Sequence, residues 1–211
     1  MKKTSQSDKI NLLALGNAAV GKTSFIIRYT EDCFREIYLT SLGMDFRTKT
    51  ITLPNKKTYR IDIYDTAGQE KYRSISLNTI KYADGIILMY DITDSKSFEA
   101  IDGWLESIKM IKCENFPLIL VGNKCDLEDE RIVLHEEGEN LAKNYGIKFF
   151  EISNKTGVNI EETVLELINI ILDQKKNNKL EENDKIKLEI EKNKEFKKKH
   201  CDCSHKADKK A

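Results

Sequence analysis

The sequence predicts an α/β fold built on a six-stranded, mostly parallel sheet with one antiparallel strand and helices on both faces. Short apolar strands alternate with amphipathic helices along the chain, which is typical of parallel sheets buried on both faces. Two alternating segments, 45–53 and 58–65, flank the turn residues 54–57 and form a hairpin, so one strand is antiparallel. A glycine-containing segment, 16–24, separates the first strand from the first helix.

The hydrophobic pattern places the elements in order. After the first strand, a helix from about Lys22 to Thr30 should bury Phe25, Ile26 and Tyr29. Residues 31–43 have no regular period and are interpreted as a functional loop. Beyond the hairpin we expect strands at 85–90, 117–121 and 149–152, helices at 95–112 and 134–145, and a last helix. The expected apolar stripes are Phe98, Ile101, Leu105 and Ile108 in the first of these helices, and Ile160, Val164, Leu167, Ile168 and Ile171 in the last.

Length and charge limit the class of protein. The 211 residues allow one domain with a tail, and we divide them into a flexible N-terminus (1–8), a domain (9–175) and a disordered tail (176–211). The 35 basic and 35 acidic residues balance, so nucleic acid is not an expected partner. We see no signal peptide and no apolar run long enough to cross a membrane, and the five cysteines form no disulfide framework. These features indicate the cytosol.

The segment from Gly16 to Ser24 has the spacing G-x-x-x-x-G-K-[ST], which predicts a loop that binds the phosphates of a nucleotide. Its two glycines, Gly16 and Gly21, let successive backbone N–H groups turn toward anionic oxygens. Lys22 would contact the β- and γ-phosphates, and the Thr23 hydroxyl would ligate Mg²⁺. The remaining contacts are assigned to Ala18, Ala19, Val20 and Ser24. The alternative is an ordinary glycine turn with a surface lysine.

A second motif follows the strand that ends the hairpin. Asp65 is placed to hold Mg²⁺ through water, and Gly68 leaves room for its N–H to approach a γ-phosphate. Gln69 could orient an attacking water. Taken alone, these residues also fit a plain turn after a strand, and the phosphate-binding segment favours the functional interpretation.

The third and fourth motifs predict the base. Asp126 can accept two hydrogen bonds from guanine, whereas adenine would leave the carboxylate unpaired. Asn123 can tie its loop to the phosphate-binding loop, and the Lys124 stem can lie over the base. After the last strand come Ser153, Asn154 and Lys155, where a backbone N–H could meet the guanine carbonyl oxygen. A capping role for Asn123 and Asp126 is the alternative, and Lys71, Arg73 and Arg131 are interpreted as solvated surface charges.

With these motifs in this order, residues 8 to about 175 resemble a small GTPase of the Ras superfamily, and within it the Rab family. The Rab resemblance is carried by the segments 42–46, 60–64, 69–76 and 88–93. It implies a P-loop NTPase fold of the small G-domain type, GTP or GDP and Mg²⁺ as ligands, and Gln69 and Lys22 as catalytic residues. It also implies a monomeric switch in vesicle traffic that meets exchange factors, GTPase-activating proteins, a dissociation inhibitor and effectors.

Several residues depart from the Rab pattern. Ser41 stands where the resemblance implies a Mg²⁺-ligating threonine, which predicts a switch that orders less firmly unless Thr40 substitutes. Phe46, Tyr64 and Thr79 occupy the usual effector-facing positions, with Tyr64 in place of tryptophan. Asn154 replaces the alanine of the Ser-Ala-Lys triplet and leaves its backbone N–H available. Ala18 is the loop residue nearest the glutamine. We expect hydrolysis to be slow.

The tail contains Cys201 and Cys203, which resemble the pair of cysteines that receives geranylgeranyl groups in Rabs. Eight residues follow them, whereas a prenyl acceptor normally lies at or very near the terminus. Lipidation would anchor the chain to the cytosolic face of an endomembrane. The alternatives are processing of the last residues, an artificial extension, a chain that is never lipidated, and weak metal binding by the tail. That metal set would be His200, Cys201, Cys203 and His205.

The function predicted from the sequence is a Rab-like, slowly hydrolysing GTP switch that regulates vesicle trafficking. No site motif supplies an arginine finger, so we expect completion by a residue supplied in trans. One alternative is an interaction module with little or no hydrolysis because of Ser41 and Ala18. The other is an ATP-dependent phosphotransferase, which Asp126 disfavours.

Overall fold

The computed structural model describes residues 8–34, 45–65, 79–112, 115–178 and 180. Its strands are β1 (Asp8–Leu15), β2 (Asp45–Thr52), β3 (Thr58–Asp65), β4 (Gly85–Asp91), β5 (Leu118–Asn123) and β6 (Lys148–Ile152). They form one sheet in the order β2-β3-β1-β4-β5-β6. The β2–β3 pair is antiparallel, from Asp45↔Asp65 to Thr52↔Thr58, and the other pairs are parallel. The predicted sheet is therefore confirmed.

The helices in the described part of the chain are α1 (Lys22–Glu31), α2 (Ser95–Glu99), α3 (Ile101–Ile111), α4 (His135–Tyr145) and α5 (residues 160–178). Helix α1 follows Gly21, whose φ of 98° ends the preceding loop, and it stops at Asp32, whose N–H bonds to the Arg28 carbonyl. Helix α4 begins where the Glu137 carboxylate accepts the Leu134 N–H at 2.7 Å. The Glu137 carboxylate thus supplies an acceptor for an N–H group at the start of α4, which stabilises that helix end.

The sheet is covered on both faces, as the sequence predicts. On one face, side chains of β1 and β4 such as Leu13 and Leu88 form one buried cluster with Trp104 of α3 and Ala142 of α4. Side chains alternate along a strand, so Gly85 faces the opposite side. A Cβ at Gly85 would lie 2.7 Å from Ile171 Cδ1 and 3.1 Å from Leu167 Cδ1, both in α5. The predicted stripe of α5 is buried.

The prediction of one helix over 95–112 is wrong, because the chain forms two helices that meet at Ala100. The ψ of Ala100 is −13°, away from the helical value near −42°. Its N–H is shared between the carbonyls of Lys96 and Phe98. The tightened turn lets Phe98 pack against Tyr90 with ring centroids 4.9 Å apart. No glycine or proline marks this break in the sequence.

Two strands are longer at their carboxyl ends than the apolar pattern predicts. β4 continues to Asp91 and β5 to Asn123, and these two residues are register partners. Pro117 stays outside β5, although its carbonyl accepts the N–H of Ile86 at 3.0 Å. Backbone pairing therefore extends both strands to polar residues at the edge of the sheet where the candidate site lies.

The chain divides into two compact units, Met1–Ile171 and Leu172–Ala211. The sheet and α1 to α4 belong to the first unit. In the second unit, residues 172–178 and 180 are helical, with Lys176 and Asp173 forming an ion pair at 2.7 Å. No helix in the described ranges is both long enough and apolar enough to span a bilayer.

Candidate functional site

Residues of the four predicted polar motifs lie at one edge of the sheet, and Asp65 is the described residue of the second motif. The loops after β1, β3, β5 and β6 all start at the carboxyl end of their strand. These four strands run parallel to one another, so their carboxyl ends face the same way. Ligands of open α/β sheets bind at this edge.

The loop after β1 has a backbone that only glycine can form at two positions. Gly16 and Gly21 have φ values of 139° and 98°. A Cβ on Gly16 would lie 2.1 Å from the Met89 carbonyl oxygen, so the loop lies directly against β4. Ala19 also has a left-handed φ, of 64°. Left-handed residues in a short loop are typical of backbone nests, whose N–H groups bind anions, and the predicted phosphate-binding loop is of this kind.

Lys22 is buried beside this loop, with only 5% of its surface exposed. Its Nζ donates hydrogen bonds to the carbonyl oxygens of Gly16 at 3.0 Å and Asn17 at 2.7 Å. Burial lowers the pKa of Lys22 to about 8, and the Asp65 carboxylate opposes that shift. The structure thus positions a cation in the loop where anionic oxygens would stabilise its charged form.

Two predicted Mg²⁺ ligands meet at the start of α1. The Thr23 hydroxyl donates to Asp65 Oδ2 at 2.6 Å, although the residues are 42 positions apart in sequence. Asp65 is 4% exposed. A hydroxyl and a carboxylate are the oxygen donors that Mg²⁺ prefers, and with water and phosphate oxygens they fit its octahedral geometry. The donor set therefore fits the ion.

The predicted link between the base-binding and phosphate-binding loops is present. Asn123 Nδ2 donates to the Val20 carbonyl oxygen at 2.8 Å, and Asn123 is 1% exposed. Asp126 Oδ1 accepts from the Ser153 hydroxyl at 2.5 Å, which joins the loops after β5 and β6. Lys124 has a left-handed φ of 70°, and its ammonium group pairs with the Asp91 carboxylate.

The structure adds two residues whose site contacts the sequence analysis missed. Arg28 Nε donates to the Asn154 carbonyl oxygen at 2.8 Å, and a second guanidinium nitrogen donates to the Lys155 carbonyl oxygen. The Asn17 side chain accepts a hydrogen bond from Trp104. Arg28 lies 126 positions from Asn154 and 127 from Lys155 in the sequence, so no local pattern could have revealed these contacts.

The prediction that Arg131 is a solvated surface charge is wrong. Its side chain is 11% exposed and pairs with Glu151, itself 12% exposed, at 2.7 Å and with Glu128 at 2.8 Å. Hydrogen bonds to Glu151 and Glu128 raise the pKa of the guanidinium. The Arg131 side chain therefore links the segment after β5 to β6 through these ion pairs and does not enter the site.

The remaining predicted residues are placed as follows. Phe46, half exposed, stacks on Tyr64 with ring centroids 5.6 Å apart, and Thr79 is partly buried. Ala18 and Ser24 are described residues of the loop and α1. Predictions for several other residues fall outside the described part of the chain. These are Thr40, Ser41, Gly68, Gln69, Lys71, Arg73, His200, Cys201, Cys203 and His205.

The fold and this edge define a nucleotide-binding protein of the phosphate-loop class. The Ras family model matches residues 11–173. The chain is 45% identical over 163 residues to Ras-related protein Rab-3C of Bos taurus, covering 77% of this chain and 71% of that protein. The same identity and span relate it to Ras-related protein Rab-3A of Homo sapiens and GTP-binding protein Rab-3D of Rattus norvegicus, with 74% of each covered.

The chain belongs to the Ras family, as a small GTPase of the Rab type. Its ligands are GTP, GDP and Mg²⁺, its reaction is GTP hydrolysis, and its role lies in vesicle trafficking. Members of this family act through regulators and effectors. The resemblance drawn from the sequence motifs is confirmed.

Proposed function

We propose that this chain switches between GTP and GDP through the residues predicted from its sequence. The loop 16–24 holds the phosphates, with Lys22 on the β- and γ-phosphates. Thr23, Ser41 and Asp65 hold Mg²⁺, directly or through water. Asp126 selects guanine, with Asn123, Lys124 and the loop 153–155 supporting the base. The γ-phosphate is sensed by Gly68, and Gln69 orients the attacking water.

One observation carries this assignment: Asn123 Nδ2 reaches the Val20 carbonyl oxygen at 2.8 Å across 103 positions of sequence. That bond holds the base-binding loop beside the phosphate-binding loop. The Ser153 hydroxyl donates to Asp126 Oδ1 at 2.5 Å, so the loop after β6 holds the Asp126 carboxylate in place. A ligand that satisfies both loops must carry a base and a polyphosphate, and a guanine nucleotide has both.

The described residues bind and orient the substrate more than they change it chemically. Lys22 donates hydrogen bonds to the phosphate oxygens and stabilises the negative charge that develops on them. Mg²⁺, when bound, neutralises charge on the β- and γ-oxygens. The site motifs contain no arginine suited to contact the γ-phosphate, so hydrolysis is slow until a GTPase-activating protein supplies an arginine or a glutamine. An arginine finger accelerates the reaction by about 10³ to 10⁵.

The finer partners and the location follow from the same proposal. The monomeric chain meets exchange factors, GTPase-activating proteins and a dissociation inhibitor, and its effectors contact Phe46, Tyr64 and Thr79. Phe46 supports this role because it is 51% exposed and stacked on Tyr64. We place the protein in the cytosol, cycling to an endomembrane through prenylation of Cys201 and Cys203. The G domain extends over 9–175 and the tail over 176–211.

A competition experiment tests the nucleotide assignment. Purified protein loaded with a fluorescent GDP analogue is mixed with unlabelled GDP or ATP, and the proposal expects displacement by GDP at concentrations at least 10³-fold below those of ATP. Asp126→Ala should remove most of this preference. Asp129→Ala is the matched control, because Asp129 is an exposed carboxylate in the same segment. Equal displacement by ATP and GDP would overturn the proposal.

Single-turnover hydrolysis tests the switch chemistry. Full-length protein loaded with GTP should release phosphate slowly alone and much faster with an added Rab GTPase-activating protein. Gln69→Leu should abolish the accelerated phase while leaving GDP affinity within about twofold, because Gln69 is assigned to the water and not to the base or loop. Absence of turnover in both conditions would favour a non-hydrolysing interaction module.

A further inference from the structure

Two asparagine side chains donate hydrogen bonds to consecutive residues of the phosphate-binding loop. Asn123 Nδ2 donates to the Val20 carbonyl oxygen at 2.8 Å, and Asn154 Nδ2 donates to the Gly21 carbonyl oxygen at 2.9 Å. The sequence motif predicts the first bond. It does not predict the second, because the Rab resemblance places alanine at this position, and alanine has no side-chain donor.

The fit around Gly21 is tight. A Cβ on Gly21 would lie 2.3 Å from Asn123 Nδ2 and 2.7 Å from Asn154 Nδ2, so both amides lie directly against its α-carbon. Asn154 is 4% exposed. The Gly21 carbonyl also accepts the N–H of Phe25 at 2.8 Å, the first hydrogen bond of α1. Asn154 is therefore tied to the point where the loop becomes a helix.

The orientation of the Asn154 amide follows from its acceptor. A flipped amide would bring its oxygen against the Gly21 carbonyl oxygen, which is unfavourable. With Nδ2 on Gly21, the buried Oδ1 has no hydrogen-bond partner among the described residues. The only side-chain hydrogen bond that the structure gives Asn154 is thus the one to the phosphate-binding loop.

Helix α1 also holds the main chain of Asn154. Arg28 Nε donates to the Asn154 carbonyl oxygen at 2.8 Å. The Asn154 backbone N–H donates a long hydrogen bond to Asn123 Oδ1 at 3.4 Å, against a usual N–H···O distance of about 2.7 to 3.2 Å. In the proposed function this N–H meets the carbonyl oxygen of a guanine. Its position depends on how firmly Asn154 is held.

We propose that Asn154 is a positioning residue that locks the base-binding loop to the phosphate-binding loop and slows nucleotide release. The inference rests on the proposed role of the loop 153–155 in holding guanine. A nucleotide leaves when its base and phosphate contacts separate, and the Asn154–Gly21 bond opposes movement of one loop away from the other. The bond is neutral and buried, so its loss should accelerate release by about 3- to 10-fold.

The main test is the dissociation rate of a fluorescent GDP analogue from full-length protein with Mg²⁺ present, for the unmodified chain and Asn154→Ala. We expect release to be about 3- to 10-fold faster in the variant and the association rate to change less than twofold. Asn159→Gly is the matched control. Asn159 Nδ2 also donates to a carbonyl, that of Glu151 at 2.7 Å, but this bond does not reach the phosphate-binding loop. Glycine tolerates the Asn159 φ of 58°.

A second measurement separates positioning from stability. Asn154→Ala removes one hydrogen bond together with one unpartnered oxygen, and Gly21 keeps its bond to Phe25, so the thermal midpoint of nucleotide-free protein should change by less than about 2 °C. Asn154→Asp keeps the side-chain volume without the donor and should also release faster. A release rate within twofold of the unmodified chain in Asn154→Ala would overturn the proposal. So would faster release accompanied by a large fall in that midpoint.

Failure of the proposed function would give a different result from failure of the positioning role. The unmodified chain itself would then show no preference for GDP over ATP in the competition experiment. If the preference holds and Asn154→Ala releases GDP at the unmodified rate, the switch assignment stands and the positioning role does not.

Discussion

The indole nitrogen of Trp104 donates a hydrogen bond to Oδ1 of Asn17 at 3.1 Å. Asn17 belongs to the phosphate-binding loop, and Trp104 lies in α3 with 6% of its surface exposed. The bond therefore attaches the loop to the buried cluster on one face of the sheet. Loss of the Asn17 acceptor would therefore weaken the attachment of the loop to this cluster.

We predict that Asn17 and Trp104 are energetically coupled. In a double-mutant cycle of Asn17→Ala and Trp104→Phe, the coupling energy should be about 1 kcal/mol, the size of one buried hydrogen bond. Urea unfolding followed by circular dichroism gives the four free energies, since Trp104 is the chain's one tryptophan and its fluorescence is lost in two of the four proteins. Additivity within about 0.3 kcal/mol would show that the contact contributes no stability.

Nucleotide affinity should fall as the pH rises above about 8. Burial lowers the pKa of Lys22 from 10.5 to about 8, and phosphate oxygens favour its charged form and raise that pKa. Binding above pH 8 therefore takes up a proton, and affinity drops by up to about tenfold per pH unit until the pKa of the complex is reached.

Calorimetry of GDP binding at pH 8.5 in two buffers of different ionisation enthalpy measures this proton uptake. Lys22→Arg is the control, because its guanidinium stays charged throughout and leaves only the contribution of the guanine ring N–H. Equal proton uptake in the two proteins would exclude Lys22 as the source.

Gly21→Ala should abolish nucleotide binding. The φ of 98° is unfavourable for alanine, and the new Cβ would lie 2.3 Å from Asn123 Nδ2, which would push the base-binding loop away. Gly146→Ala isolates the backbone effect, since Gly146 has a φ of 66° with no atom within 4 Å of the added Cβ. The control should lose about 1 kcal/mol of stability and keep its GDP affinity. Binding by both variants, measured by equilibrium titration, would refute the steric argument.

Arg131→Met should lower the free energy of unfolding by about 2 to 3 kcal/mol. The change removes the guanidinium at 2.7 Å from Glu151, 12% exposed, and leaves it the exposed His135 ring at 3.3 Å. A buried charge that loses its main partner is strongly destabilising. Lys143→Met removes an exposed pair, Lys143–Glu139 at 3.1 Å with side chains 64% and 46% exposed, and should cost less than about 0.5 kcal/mol. Similar urea midpoints for both variants would contradict the burial argument.

Local sequence pattern was sufficient for the sheet, the hairpin and the positions of the polar loops. The Asn123 bond to Val20 could also be predicted, because the spaced motifs imply a ligand that both loops must hold. The break at Ala100 could not, since alanine is a good helix former and the contact between Phe98 and Tyr90 that accompanies the break is visible only in the folded chain. The Asn154 bond to Gly21 spans 133 positions, and only the folded sheet brings the two together.

Sequence distance across the site has a consequence for folding. Its hydrogen bonds join residues 42, 103 and 133 positions apart, so the site exists only after β1, β3, β5 and β6 have all assembled. A nucleotide that binds only the complete sheet shifts the unfolding equilibrium by mass action, by about 4.1 kcal/mol when its concentration is 1,000 times its Kd. The nucleotide concentration thereby sets how long the chain resists proteases, whether GTP or GDP is bound.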